Sequence, residues 1–359
     1  MFSSRPRRAV GLLFLAILLM LAILLTLALL FAIPLLTHSQ TTRQSVAPSY
    51  RLQTVTYCSP DNLPQLMDIY TPAQFASHAA MPVVEMVHGG GWTGGSKGSI
   101  NTIQPTPEVP ITMLGLLARG FVVTSINYRL APQFKFPDNI EDVKCSIRYL
   151  RAHASQYHID PGRIGLMGSS AGGHLASLAG LANPNAGWDR GEYTDQSSAV
   201  QAVIDMFGPE YLASGIGNPA IGAPAIFGSD PQAASPPNYI ANTANTDPPF
   251  LILQGDKDKT VPPYHSLRFY NALLDAGQPA ILQMVQNAEH EFNPVPAGAV
   301  LIPSADQIST MMIQFFLKYL AGRTSTIRSV GQIAFDFNVY CADRDLNLRD
   351  RRNYCMALT

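Results

Sequence analysis

The chain has 359 residues, a formal net charge of -1, 47% apolar residues and four cysteines. That length admits a sizeable core, and the apolar content excludes an intrinsically disordered chain. Near-neutral charge excludes the basic footprint of a nucleic-acid binder, and four cysteines with no C-x-x-C pair exclude a disulfide scaffold and a zinc ribbon.

The first predicted element is a membrane span. Ala9 to Leu36 make 28 positions, of which only Gly11, Thr26 and Pro34 are not apolar, and none is charged. A bilayer core about 30 Å thick takes roughly 20 helical residues. Arg5, Arg7 and Arg8 precede the run, and the first acidic residue of the chain is Asp61. The positive-inside rule therefore keeps the N-terminus cytoplasmic and sends the remainder across. The expectation is a signal-anchor over 1–36, a polar Ser/Thr/Gln stalk over 37–50, and an extracytoplasmic domain from 51. A cleaved signal with secretion is the alternative. No second apolar run is long enough to span, which excludes a transporter.

Residues 51–322 alternate apolar runs with helical stretches. Predicted strands are Val83–Val87, Phe121–Ile126, Arg163–Met167, Val200–Met206, Phe250–Leu253 and Ala280–Val285, near-continuously apolar as strands covered on both faces are. Ile140, Val143, Ile147, Leu150 and Ala154 keep the 3-and-4 spacing of an amphipathic helix from Asp138. Further helices are predicted over Ala171–Leu181, Tyr264–Ala276 and 306–320. The rhythm predicts an α/β fold, a mostly parallel sheet with helices on both faces. Residues 207–249, rich in Pro, Gly, Asn and Ala, read as an excursion that forms a wall or partial cap. Residues 323–359 read as a C-terminal extension, with an added strand where Ile333, Phe335, Phe337 and Val339 alternate with polar residues. Cys145 reads as a buried thiol, and Cys341 and Cys355 pair with each other or with Cys58.

The strongest chemical signal is Gly168-Ser169-Ser170-Ala171-Gly172, placed between a buried strand and a helix. A sharp strand-to-helix turn exposes the central Ser170, and its small neighbours keep the backbone clear of adjacent strands. The second is His88-Gly89-Gly90-Gly91-Trp92, directly after another buried strand. Its glycines let the amides of Gly90 and Gly91, with that of Ala171, turn toward one carbonyl oxygen. An activated serine needs a base and an acid to orient it. Downstream of Ser170 the histidines are His174, His265 and His290. His174 lies on the serine's own helix and packs beneath the turn. His265 follows two prolines and reads as a solvated surface residue. His290 occupies a loop after a strand, where α/β sites form, and is the candidate base. For the acid, Asp258 is preferred to Asp256, which reads as a turn residue capping its own backbone; Asp205 is third.

Together with Asn127-Tyr-Arg-Leu-Ala-Pro132, Asp160-Pro-Gly-Arg-Ile164 and Gly255-Asp-Lys-Asp-Lys-Thr-Val-Pro262, these motifs resemble the α/β-hydrolase serine esterases related to hormone-sensitive lipase and to feruloyl and acetyl-xylan esterases. The resemblance covers roughly 52–322. It implies the α/β-hydrolase fold and a Ser170–His290–Asp258 triad, the acid lying three residues before the Val-Pro pair. It also implies hydrolysis of short-chain esters, either small molecules or polysaccharide-linked, without metal or organic cofactor. An amidase or peptidase using the same groups is the first alternative, and a non-catalytic binding protein of this fold the second. One departure stands out: the group's usual His-Gly before the acid loop is Gln254-Gly255 here.

Overall fold

The computed structural model describes residues 19–21, 49–75, 80–101, 108–212 and 221–322. Most of the expected span, the stalk before residue 49, and the extension with Cys341 and Cys355 lie outside the described residues. Among the described residues no helix is long and apolar enough to cross a membrane. The chain divides into two units, 1–46 and 47–359, and all that follows concerns the second.

Eight strands form one sheet: β1 (Tyr50–Cys58), β2 (Gln65–Pro72), β3 (Met81–Val87), β4 (Val122–Ile126), β5 (Ile159–Ser169), β6 (Ala202–Met206), β7 (Phe250–Gly255) and β8 (Ala280–Val285). Their order is β1-β2-β4-β3-β5-β6-β7-β8. Only the β1–β2 and β2–β4 pairs are antiparallel. The six strands predicted within 51–322 are all present; the added strand expected over 333–339 lies outside the described residues. Sequence patterning missed β1 and β2 for a physical reason. β1 is a largely exposed edge strand whose apolar residues are interrupted by Arg51, Gln53, Thr54 and Thr56, and β2 carries Asp68, held by Lys97 at 2.8 Å, so neither shows an unbroken apolar run.

Helices α1 (Glu108–Leu117), α2 (Asp138–Ala152), α3 (Ala171–Leu181), α4 (Tyr264–Asp275) and α5 (Ala305–Ala321) cover the two faces. Successive strand residues point to opposite sides. Val83 and Val87 pack with Ile140, Val143, Ile147 and Leu175 of α2 and α3. Val84 and Met86 pack with Leu116, Leu117, Phe315 and Phe316 of α1 and α5. Helix α1 was not predicted because Pro110 interrupts its pattern; a proline is tolerated there because first-turn amides have no intrahelical acceptor.

One cysteine expectation is corrected. Cys145 is buried, but it is bonded to Cys58 and not a free thiol, with the two Cα atoms 6.5 Å apart and a sequence separation of 87, so Cys58 does not pair with Cys341 or Cys355. Without β1 in the predicted sheet, nothing placed Cys58 against α2. Closing a loop of that length removes unfolded-state freedom worth about 4 kcal/mol.

Glu85, at the centre of β3, is completely buried. Ser146 Oγ donates to its Oε1 at 2.6 Å. Burial pushes this carboxyl from 4.5 up to about 8, so it is protonated at neutral pH. Between those two values the folded state binds a proton that the unfolded chain has lost, so stability falls as pH rises through the window. Glu85→Gln keeps the shape without the titration. It is expected to stabilise the fold at pH 8 by on the order of 4 kcal/mol and to flatten the profile. Urea unfolding from pH 5 to pH 8.5 checks this; equal slopes for both proteins would refute it.

Candidate active site

Ser170 stands between β5 and α3 at φ 53° and ψ -120°. A non-glycine residue holds such a conformation at a cost of order 1–3 kcal/mol, and only when its surroundings impose it. Here the Ser170 amide donates to Met206 O of β6 at 2.9 Å, and Ser170 O accepts from the His174 amide at 3.0 Å. The flanking glycines permit the turn. A Cβ on Gly172 would lie 2.1 Å from Val87 O of the neighbouring strand. One on Gly168 would lie 2.2 Å from Gly172 O, within the elbow itself rather than against a strand.

Three predicted side chains, far apart in sequence, meet at this turn. His290 Nε2 lies 3.0 Å from Ser170 Oγ, and His290 Nδ1 lies 2.8 Å from Asp258 Oδ2. A carboxylate only accepts, so Nδ1 carries the proton and Nε2 presents its lone pair to the hydroxyl. Asp258 Oδ1 accepts from the amides of Thr260 at 2.9 Å and Val261 at 2.8 Å. The carboxylate is 0% exposed and the imidazole 13%. Such a chain can take the serine proton while the acid holds the imidazole in one tautomer.

The glycine loop lies beside the serine. Gly89 has no room for a side chain, since a Cβ would meet Ser169 O at 2.8 Å. Gly90 and Gly91 take φ of 110° and 60°. Among the described residues their amides have no acceptor in the backbone network. The Ala171 amide belongs to the first turn of α3, where N–H groups have no intrahelical partner. All three donors are thus available to a ligand oxygen.

The support beneath that loop was not read from the sequence. The His88 ring stacks on Tyr128 at 4.2 Å between centroids, and Tyr128 Oη donates to His88 O at 3.0 Å. His88 Nδ1 lies 2.7 Å from Gly89 O, and the Ala131 amide donates to Trp92 O at 2.9 Å. Tyr57 Oη, next to the disulfide, donates to Asn127 O at 2.6 Å. Asn127-Tyr-Arg-Leu-Ala-Pro132 therefore braces the glycine loop, a role its residue types alone did not announce. Burial pushes His88 down to about 4, so the ring is neutral there.

The remaining candidates have structural partners. His174 is buried beneath the turn as expected. It accepts from Trp92 Nε1 at 3.2 Å through Nδ1 and donates to Ala234 O at 2.7 Å through Nε2, and burial pushes it down to about 4. His265 is not a surface residue: it is fully buried, and its Nδ1 accepts from the Tyr211 amide at 3.2 Å. Asp256 does not merely cap its own turn, because its Oδ1 accepts from the Ala288 amide at 3.2 Å in the His290 loop. Asp205 lies fully buried under the elbow, where its Oδ1 accepts from the Gly208 amide at 2.8 Å; burial pushes both it and nearby Glu210 upward. In the excursion, short turns at Pro224–Phe227, Pro231–Ala234 and Pro236–Tyr239 follow one another. Phe227 meets Trp92 edge-on at 4.8 Å. Residues 213–220 lie outside the described residues. Among those described, no group of His, Cys, Asp and Glu is placed to hold a metal ion.

Residues 67–273 match the BD-FAE family. The chain belongs to the BD-FAE family of α/β-hydrolase esterases. The matched segment contains Ser170 and Asp258 and ends before His290. Esterase LipQ of Mycobacterium tuberculosis is 31% identical over 250 residues, covering 65% of this chain and 56% of LipQ. With 53% of the related LipM covered, the chain spans about half the length of these curated relatives. Among solved structures, a truncated carbohydrate esterase from gut microbiota is 28% identical with a TM-score of 0.60, over 77% of this chain and 98% of the other. The propionate-bound esterase Est2 of Thermogutta terrifontis is 26% identical with a TM-score of 0.61, over 78% and 97%.

Gly172→Ala tests the elbow geometry. The methyl cannot clear Val87 O without moving β3 or α3, and such overpacking costs about 3 kcal/mol or more. The expected outcome is a thermal midpoint lowered by several degrees and a Ser170 that reacts more than about tenfold more slowly with an organophosphate. A variant matching the parent in both measurements would refute the account.

Proposed function

We propose that this chain is a serine carboxylesterase acting on short-chain acyl esters. Ser170 Oγ attacks the ester carbonyl as His290 Nε2 takes its proton, and the imidazolium then protonates the departing alcohol. Water, activated by the same imidazole, releases the acyl group from Ser170. Asp258 stabilises the imidazolium and fixes its tautomer. The amides of Gly90, Gly91 and Ala171 bind the oxyanion, each contributing about 3 kcal/mol to the transition state.

The observation that carries this reading is the unbroken Ser170–His290–Asp258 hydrogen-bonded chain at a strained strand-to-helix turn. The relatives support an ester over an amide. Est2 of Thermogutta terrifontis has been captured with propionate and with butyrate, which supports a short acyl pocket, and the gut carbohydrate esterase supports saccharide-linked esters as one substrate class. The excursion over 207–249 serves as the wall of the substrate site in this reading. The same proposal puts the catalytic unit outside the cytoplasm, held by the apolar run 9–36. The Cys58–Cys145 disulfide supports that placement, because such bonds persist in oxidising compartments.

The full chain in detergent is expected to hydrolyse p-nitrophenyl acetate and butyrate faster than octanoate. Ser170→Ala should lower kcat by about 10⁴-fold or more, and Asp258→Asn by about 10⁴-fold with the fold intact. Activity surviving in Ser170→Ala would overturn the nucleophile, and a folded parent inert toward all three esters would overturn the esterase reading.

A further inference from the structure

Gln254 lies at the end of β7 and is completely buried. Ser266 Oγ donates to its Oε1 at 2.7 Å. Its Nε2 faces Asp258 Oδ2 at 3.2 Å, Val261 O at 3.2 Å and Gly255 O at 3.3 Å. All three are acceptors, so the amide can present only its NH₂ group to them, and its orientation is fixed. Asp258 Oδ2 is therefore shared between His290 Nδ1–H and Gln254 Nε2–H, while Oδ1 takes the amides of Thr260 and Val261. Four N–H groups occupy the roughly four lone-pair sites of the carboxylate.

From this we infer that Gln254 is a positioning residue for ester hydrolysis, acting through Asp258 on His290; the inference rests on the proposed Ser170–His290–Asp258 triad. Gln254 aims Oδ2 at the imidazole and ties the acid to the Val261 carbonyl, so the loop cannot rotate the carboxylate away. It also draws electron density from the oxygen that holds Nδ1–H, which moderates how strongly Asp258 stabilises the imidazolium. A histidine at this place would have a side chain whose own charge can change between about pH 5 and 8. An amide gives the same donation with no charge at any pH.

The test compares full-length parent, Gln254→Leu, Gln254→His and Ser266→Ala, with active sites counted by organophosphate titration so that misfolded protein does not enter kcat. Gln254→Leu removes the donor. It is expected to lower kcat about tenfold with KM within about twofold, and to move the acid limb of kcat/KM upward by about half a pH unit as Oδ2 turns wholly to the imidazolium. Gln254→His restores an N–H and should return kcat at pH 8 to within about threefold of the parent. Ser266→Ala frees the amide to turn over while nearly preserving volume, and should give a smaller shift in the same direction. It carries the test if Gln254→Leu does not fold. Parent-like kcat and acid limb per titrated site in the leucine and alanine variants, with only the thermal midpoint lowered, would overturn the positioning role. A parent that neither hydrolyses esters nor titrates would instead overturn the esterase reading itself.

Discussion

The site depends on one close approach. Helix α3 begins so near β3 that the carbonyl of Val87 occupies the place where a side chain on Gly172 would be. That contact lets Ser170 take a backbone conformation few residues adopt, with its amide anchored to β6 and its carbonyl turned into α3. It also brings the end of β3, and hence the His88–Trp92 loop, against the serine. Ser170 and the amides of Gly90 and Gly91 are neighbours because two main chains touch, and parallel strands order their loops at one edge of the sheet.

Around this contact the polar groups are buried as neutral species or as satisfied partners. His88 and His174 are both held uncharged by burial, one stacked under the glycine loop and one joining Trp92 to the excursion. Glu85 is held protonated within the sheet. Uncharged imidazoles and a protonated acid add no net charge of their own near the serine. Buried titratable groups of both kinds pull in opposite directions: the histidines cost stability as pH falls from 6.5 toward about 4, and the glutamate costs it as pH rises from 4.5 toward about 8.

Much of this was legible in sequence wherever the chemistry demands particular residue types at fixed spacing. Gly168 to Gly172, His88 to Trp92 and the loops of Asp258 and His290 each announced themselves by small residues or by a place after a buried strand. Other features were silent for identifiable reasons. The edge strand β1 and its neighbour β2 are interrupted by polar residues and show no unbroken apolar run, and with them went the Cys58–Cys145 pairing. His265 looks like a surface residue beside two prolines, and only the return of the excursion buries it. Tyr128 and Gln254 act through contacts made 40 residues and four residues away, and no periodicity encodes a partner.

Asp256 gives the arrangement a mechanical meaning. Its carboxylate holds the Ala288 amide, the Lys257 amide donates back to Ala288 O at 2.9 Å, and the Asp256 amide donates to Val285 O at 3.0 Å. A Cβ on Gly255 would strike Ala288 O at 2.4 Å. The loops that carry Asp258 and His290 are thus stitched into a single cartridge on β7 and β8, although the two residues stand 32 positions apart in the chain. The spacing of Asp258 and His290 is inherited from the stitch rather than from the chain that joins them.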